Sequence, residues 1–244
     1  MTTVKKKKRS GGCVGAIILT AIIFAAGVGF EKAFEGLEKL PEYGSETAVN
    51  VTVQTAKVPE NHLLILVNGN NKIPDDYETE LTELSNGEKV SSEIYPDLQK
   101  MFDDMREAGI YPVVGEGYRT REKQQEIMED KIRAFENEGH SQKRAEKMAR
   151  EWVAIPGTSE HELGLAVDIN ADKERSDNQE VYDWLYQNAY KYGFILRYPI
   201  GKTKITGIDY EPWHYRYVGR EYSEEIMNSG LCLEEWLEQN YNNS

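Results

Sequence analysis

Cysteine is almost missing: Cys13 and Cys232 are the only two in 244 residues. Cys13 stands at the start of an apolar run, so no intrachain disulfide framework can be drawn, and stability must come from a packed core and any bound metal. Histidine is nearly as sparse, with four residues, which leaves few places for an imidazole-based site. Cations are short as well, 29 Lys and Arg against 42 Asp and Glu for a net charge of -13. Five of those cations and no acid fall within the first thirty residues, so the remainder has 24 against 42 and a net charge of -18. A surface of that sign repels nucleic acid and anionic lipid, which argues against DNA or RNA as a partner. No internal repeat and no low-complexity tract is present beyond the basic start.

Long apolar runs are confined to one place. Lys5 to Arg9 form a basic block, followed by an uncharged stretch of twenty residues from Gly11 to Phe30. As a helix it reaches roughly 30 Å, the thickness of a hydrocarbon core. The basic block marks the cytoplasmic side. The expected organisation is a cytoplasmic tail over 1–10, a transmembrane anchor over 11–30, a linker over 31–60 and a folded, exported domain over 61–244. A cleaved signal peptide is the rival, with Ala25-Ala26-Gly27 as its cleavage site. Cys13 lies at the start of the apolar run rather than after it, which does not fit a lipoprotein anchor.

Within the domain, Leu63 to Val67 reads as a buried strand ended by Asn68-Gly69-Asn70-Asn71. Ile94, Leu98, Met101, Phe102 and Met105 keep helical spacing, with Ser91 or Ser92 as cap and Gly109 as stop. Tyr111 to Val114 reads as a strand. Thr120 caps a charged helix to about Glu138, and Ser141 caps another to Trp152. Gly164 to Ile169 is a strand, Val181 to Tyr192 a helix closed by Gly193, Phe194 to Tyr198 and Trp213 to Val218 further strands, and Ser223 the cap of a final helix. Helices placed before and between antiparallel strands imply an α+β fold: one domain with a central antiparallel sheet flanked by helices, preceded by one transmembrane helix.

Two short segments carry the chemistry, Ser159-Glu160-His161-Glu162-Leu163-Gly164-Leu165-Ala166-Val167-Asp168 and Glu211-Pro212-Trp213-His214-Tyr215. His161, Asp168 and His214 supply two imidazoles and a carboxylate, the N/O donor set of a hydrolytic zinc site with a fourth position open. Zinc lowers the pKa of its water from 15.7 to about 7. Glu211, three residues before His214, suits the base that takes the water's proton and hands it to the leaving amine. Pro212 stiffens the link between them. His161-Glu162 begins like H-E-x-x-H, but residue 165 is Leu, so that helical motif is absent and Glu162 is set aside. The bland alternative is a hydrogen-bonded His161–Asp168 pair in a core, with Glu211 and His214 a surface pair.

Gly117-Tyr118-Arg119-Thr120, Ser159-x-His161-x-x-Gly164-x-Ala166-x-Asp168 and Glu211-x-x-His214, taken in order, resemble the zinc D-alanyl-D-alanine carboxypeptidases of the VanY type. That family shares its fold with the D,D-dipeptidases of vancomycin resistance and with L,D-carboxypeptidases. The resemblance runs from about Asn61, including Leu66-Val67-Asn68 and Pro74-Asp75-Asp76-Tyr77, to about Leu233. It implies His161, Asp168 and His214 as zinc ligands and Glu211 as catalytic base. Arg119 would stabilise the oxyanion or hold a carboxylate, and Gln124, Ser159, Tyr198 and Trp213 would line the substrate pocket. The implied activity is removal of the terminal D-alanine from peptidoglycan stem peptides on the outer membrane face. Its alternatives are an L,D-carboxypeptidase acting on tetrapeptide stems, a non-catalytic wall-binding module and a lysis endopeptidase. Arg119 could instead pair with Glu116 on the surface. His62 reads as packed beside an apolar strand, His140 as solvated, and Cys232 as an inert buried thiol.

Overall fold

The computed structural model describes residues 54–55 and 61–241. In chain order the strands are β1 (Gln54–Thr55), β2 (Asn71–Lys72), β3 (Leu81–Glu83), β4 (Lys89–Ser91), β5 (Pro112–Glu116), β6 (Ala166–Ala171), β7 (Phe194–Leu196) and β8 (His214–Tyr217). The helices are α1 (Tyr95–Glu107), α2 (Arg121–Asn137), α3 (Gln142–Ala149), α4 (Asn178–Asn188), the single turn α5 (Thr203–Thr206), α6 (Arg220–Ser229) and α7 (Leu233–Tyr241). Strands β5, β6, β8 and β7 hydrogen-bond in that order into one sheet whose neighbours are all antiparallel. The α+β expectation therefore holds, with a central antiparallel sheet flanked by helices. Two smaller pairs lie outside it: β1 runs parallel to β2, and β3 antiparallel to β4.

Alternation along β6 sets the architecture. Val167, Ile169 and Ala171 are buried in the core, while Asp168 and Asn170 project from the opposite face and stay partly open, as a period of two requires. The main core gathers these residues with Leu98, Met101, Phe102 and Met105 of α1 and Val181 and Leu185 of α4. Ile94 precedes α1 without a side-chain cap, so the helix is fixed by its buried face. Burial of side chains this size is worth about 1.5–3 kcal/mol each. A second core joins Leu64, Ile195 and Val218 to Ile226 of α6 and Leu233, Trp236 and Leu237 of α7.

Several sequence expectations are corrected. Leu63 to Val67 is not a strand: His62–Leu64 form a 3-10 helix and the rest runs unpaired. Leu63, Ile65 and Val67 enter the main core, whereas Leu64 and Leu66 pack on the second. The backbone carbonyls of Leu63 and Ile65 accept from the Arg216 guanidinium at 2.9 and 3.0 Å rather than from a neighbouring strand. Neither Ser91 nor Ser92 caps α1. The helix placed over Val181 to Tyr192 begins at Asn178, where Asp177 and Glu180 make a reciprocal capping box, and tightens to 3-10 geometry over Ala189–Tyr192. The final helix is two helices, and Ser223 caps neither; its hydroxyl is buried inside α6 and donates to the Tyr190 carbonyl at 2.6 Å. His62 is exposed and bonded to Glu93 at 2.6 Å rather than packed. The anchor expected over residues 11–30 lies outside the described residues, and among these no helix is long and apolar enough to cross a membrane.

Candidate metal centre

The sheet itself brings two of the three donors together, because Asp168 and His214 are directly paired across β6 and β8. His161 arrives from a 3-10 helix over Glu160–Leu163, closed by Gly164 in the left-handed conformation at φ +71°. Only glycine adopts that conformation without strain, and here it turns the chain straight into β6. One donor atom from each of His161, Asp168 and His214 lies within 4.8 Å of the others. His161 Nε2 is 3.3 Å and His214 Nδ1 3.1 Å from Asp168 Oδ1. The two rings stand edge to face with centroids 4.8 Å apart.

This set fits a divalent cation. Nδ1 of His161 lies 2.8 Å from the Gly117 carbonyl, which directs its proton there and turns the Nε2 lone pair toward Asp168. Asp168 Oδ1 is buried without a hydrogen-bond partner of its own, so an orphaned anionic oxygen faces two imidazole nitrogens. A zinc ion bound by N, N and O satisfies all three at once.

The electrostatics agree. Burial works to raise Asp168, but His161 and His214 beside it hold the carboxyl well below the usual range. Burial pulls His214 down, yet its contacts with Asp168 and Glu160 carry it up to about 9. Burial, followed by Arg119, lowers His161. Glu211 sits with Oε2 3.7 Å from His214 Nδ1, and burial pushes it up to about 8 against the pull of His214.

Arg119 does pair with Glu116, at 3.0 Å, but inside the site rather than on the surface: its side chain is 13% exposed. Its guanidinium also lies 3.9 Å from Asp168 Oδ2 and donates to Gln124 Oε1 at 2.9 Å. Gln124 is fully buried and in turn donates to the Ala154 carbonyl at 2.8 Å, so it holds Arg119 in place. Tyr198 is buried with its ring 4.8 Å from that of His214. Trp213 is partly open, its ring 6.5 Å from Tyr182. Ser159 is buried at the entrance to the His161 turn, without a capping bond from its hydroxyl. Glu162 is structural, accepting from the Gly157 amide at 2.8 Å and lying 3.5 Å from Arg121.

Sequence reasoning passed over Glu160. Its side chain is fully buried behind His214, and Oε1 accepts from Arg197 Nε at 2.8 Å and Arg216 Nη1 at 2.7 Å. Burial would raise its pKa, but the two guanidinium groups hold it well below the usual range. Nothing in the local pattern distinguishes it from Glu162. The signal lay elsewhere, in two arginines within strand-like segments, which need an anionic partner once buried.

A family model described as "VanY: D-alanyl-D-alanine carboxypeptidase" matches residues 87–220. A D-alanyl-D-alanine carboxypeptidase of Enterococcus faecalis is 56% identical over 174 residues, covering 71% of this chain and 65% of the relative, slightly under two thirds of its length. A structure of VanYB in complex with D-alanine-D-alanine superimposes with a TM-score of 0.71 at 55% identity, over 72% of this chain and 98% of that one. A mutant of a vancomycin resistance D,D-pentapeptidase VanY, in complex with Zn(II), gives a TM-score of 0.70 at 56% identity, over 71% of this chain and 98% of that one.

Proposed function

This chain belongs to the VanY family of D-alanyl-D-alanine carboxypeptidases, and we propose that its folded domain removes the terminal D-alanine from peptidoglycan stem peptides, with zinc held by His161, Asp168 and His214. The observation that carries the reading is the convergence of those three donors within 4.8 Å around a buried, unpartnered carboxylate oxygen. The similarity to a Zn(II)-bound and a D-alanine-D-alanine-bound relative supports it.

When bound, zinc supplies Lewis acidity that makes water a nucleophile near neutral pH. The protein's residues do the rest. Glu211 Oε2 takes the proton of the water that attacks the last peptide carbonyl, then delivers it to the nitrogen of the departing D-alanine as the C–N bond breaks. Its burial suits this, because a carboxyl kept out of water holds a proton near neutral pH. Arg119, fixed by Glu116 and Gln124, presents a cation either to the negative charge growing on that carbonyl oxygen or to the substrate's terminal carboxylate. Tyr198 backs the His214 ring, and Ser159 and Trp213 complete the walls. A mere binding module has no need of the proton acceptor at Glu211.

The test is to incubate the zinc-loaded full chain with a pentapeptide stem ending in D-Ala-D-Ala and with its tetrapeptide, and to weigh the products. We expect one D-alanine lost from the pentapeptide and none from the tetrapeptide. His214→Ala should lose both stoichiometric zinc and turnover. Trimming of the tetrapeptide instead would make the enzyme an L,D-carboxypeptidase, and no release from either would overturn the hydrolase reading. Residues 11–30 complete the proposal as a membrane anchor that places the domain outside the cell. The support is the basic block followed by an uncharged run long enough to span. Recovery of the full chain in the soluble cytosolic fraction, shielded from protease added to intact cells, would overturn it.

A further inference from the structure

The two histidines of the centre are supported unequally. His161 has its outer nitrogen settled on the Gly117 carbonyl at 2.8 Å. His214 does not: its Nε2 is buried with no hydrogen-bond partner, and so is Oε2 of Glu160, which faces it at 3.7 Å. Two buried orphans of opposite need, just beyond bonding distance, describe a hydrogen bond that tightens when the ring is drawn toward a ligand on its other side.

The surroundings of Glu160 leave it no other occupation. Arg197 is wholly buried; its Nε bonds Glu160 Oε1 while Nη1 and Nη2 donate to Glu234 at 2.9 and 2.7 Å. Arg216 is equally buried and lies two residues beyond His214, on the same face of β8. Its remaining donors go to the carbonyls of Leu63, Ile65 and Tyr217. Both arginines therefore hold the carboxylate by Oε1 alone, and Oε2 is left pointing at the imidazole.

We propose that Glu160 is the positioning residue of His214: its Oε2 accepts the Nε2 proton, which fixes the tautomer that offers Nδ1 to the metal, and Arg197 with Arg216 sets the carboxylate at the required angle. The inference rests on the reading of His161, Asp168 and His214 as metal ligands. Outer-shell carboxylates of this kind orient the ring and raise its basicity, and their loss commonly costs about 10- to 100-fold in metal affinity. Glu160→Gln is the informative change. Its Oε1 must still serve two guanidinium groups, so its amide nitrogen faces His214 Nε2, a donor opposed to a donor. The ring then favours the tautomer with its proton on Nδ1, where the metal should be.

The experiment uses the full chain and four readouts: zinc affinity by chelator competition, the visible spectrum of the Co(II) form, imidazole ¹⁵N–¹H correlations and far-UV circular dichroism. Only four histidines need assignment. In wild type with zinc we expect His214 protonated on Nε2 and metal-bound through Nδ1. Glu160→Gln should keep its circular dichroism, bind zinc about 10- to 100-fold more weakly and show shifted Co(II) bands, with His161 unchanged. A wild-type His214 protonated on Nδ1, or zinc affinity of Glu160→Gln within twofold of wild type, would overturn the proposal. The wild-type tautomer decides even if the variant does not fold. Wild type and His214→Ala binding zinc equally poorly would instead remove the metal reading beneath it.

Discussion

Glu211 and Glu162 are both glutamates beside a histidine motif, and their surroundings separate them. Glu162 is occupied, tied to the Gly157 amide and to Arg121. Glu211 makes no such bonds and stands 3.7 Å from His214 with its proton affinity raised. On the proposed reading, a residue so placed contributes to turnover and little to metal binding. Glu211→Gln should lower D-alanine release by about 100- to 10,000-fold, the usual range for a positioned proton acceptor, while zinc stoichiometry stays at that of wild type. Parallel loss of zinc would show Glu211 to be a ligand. Sequence spacing was enough to single out the three residues whose donor atoms converge within 4.8 Å and Glu211 beside them, because such chemistry tolerates few residue types. It could not identify Glu160, whose role depends on two arginines from β8 and the end of β7 reaching the same point.

Among the elements, the approach of β5 to β4 decides how well the site is framed. A Cβ added to Gly117 would lie 2.1 Å from the Lys89 carbonyl oxygen, so the backbone itself would have to move. Gly117 also carries the carbonyl that orients His161, and the Arg119 amide two residues on bonds the His161 carbonyl at 3.1 Å. Gly117→Ala should cost about 1–3 kcal/mol of stability and weaken zinc binding with it. Gly69→Ala, where nothing lies within 4 Å, should change neither. Urea unfolding and chelator competition on the two variants check this. Most elements were legible from periodicity and caps, Thr120 at α2 being the plainest, its hydroxyl accepting from the Lys123 amide at 3.2 Å. The exception at Leu63 to Val67 is instructive. Its side chains alternate between two cores as a strand's would, yet its carbonyls are taken by a guanidinium, and no pattern of apolar residues reveals what a backbone bonds to.

Across the whole molecule, the Glu160 carboxylate ties the His161 turn, β8, the end of β7, the Leu63–Ile65 stretch and, through Arg197, α7. Its pKa lies well below the ordinary 4.5 in the folded state. The unfolded chain therefore binds the proton first as pH falls. The stabilisation is complete above about 4.5 and drains away as acid carries the pH down toward the folded value. At neutral pH, removing one partner from a buried ion network costs about 3–5 kcal/mol. In the presence of chelator, wild type should therefore exceed Glu160→Gln in urea resistance by that order at pH 7, and the gap should narrow below pH 4.5. A gap independent of pH would assign the difference to packing instead of charge. The cross-strand pairing of Asp168 with His214 has one last consequence. A single-residue slip of β8 would replace the imidazole beside Asp168 with Tyr215 or Trp213 and turn His214 inward among hydrocarbon. β8 therefore tolerates no change of length, and the convergence of His161, Asp168 and His214 depends on a spacing as much as on a set of amino acids.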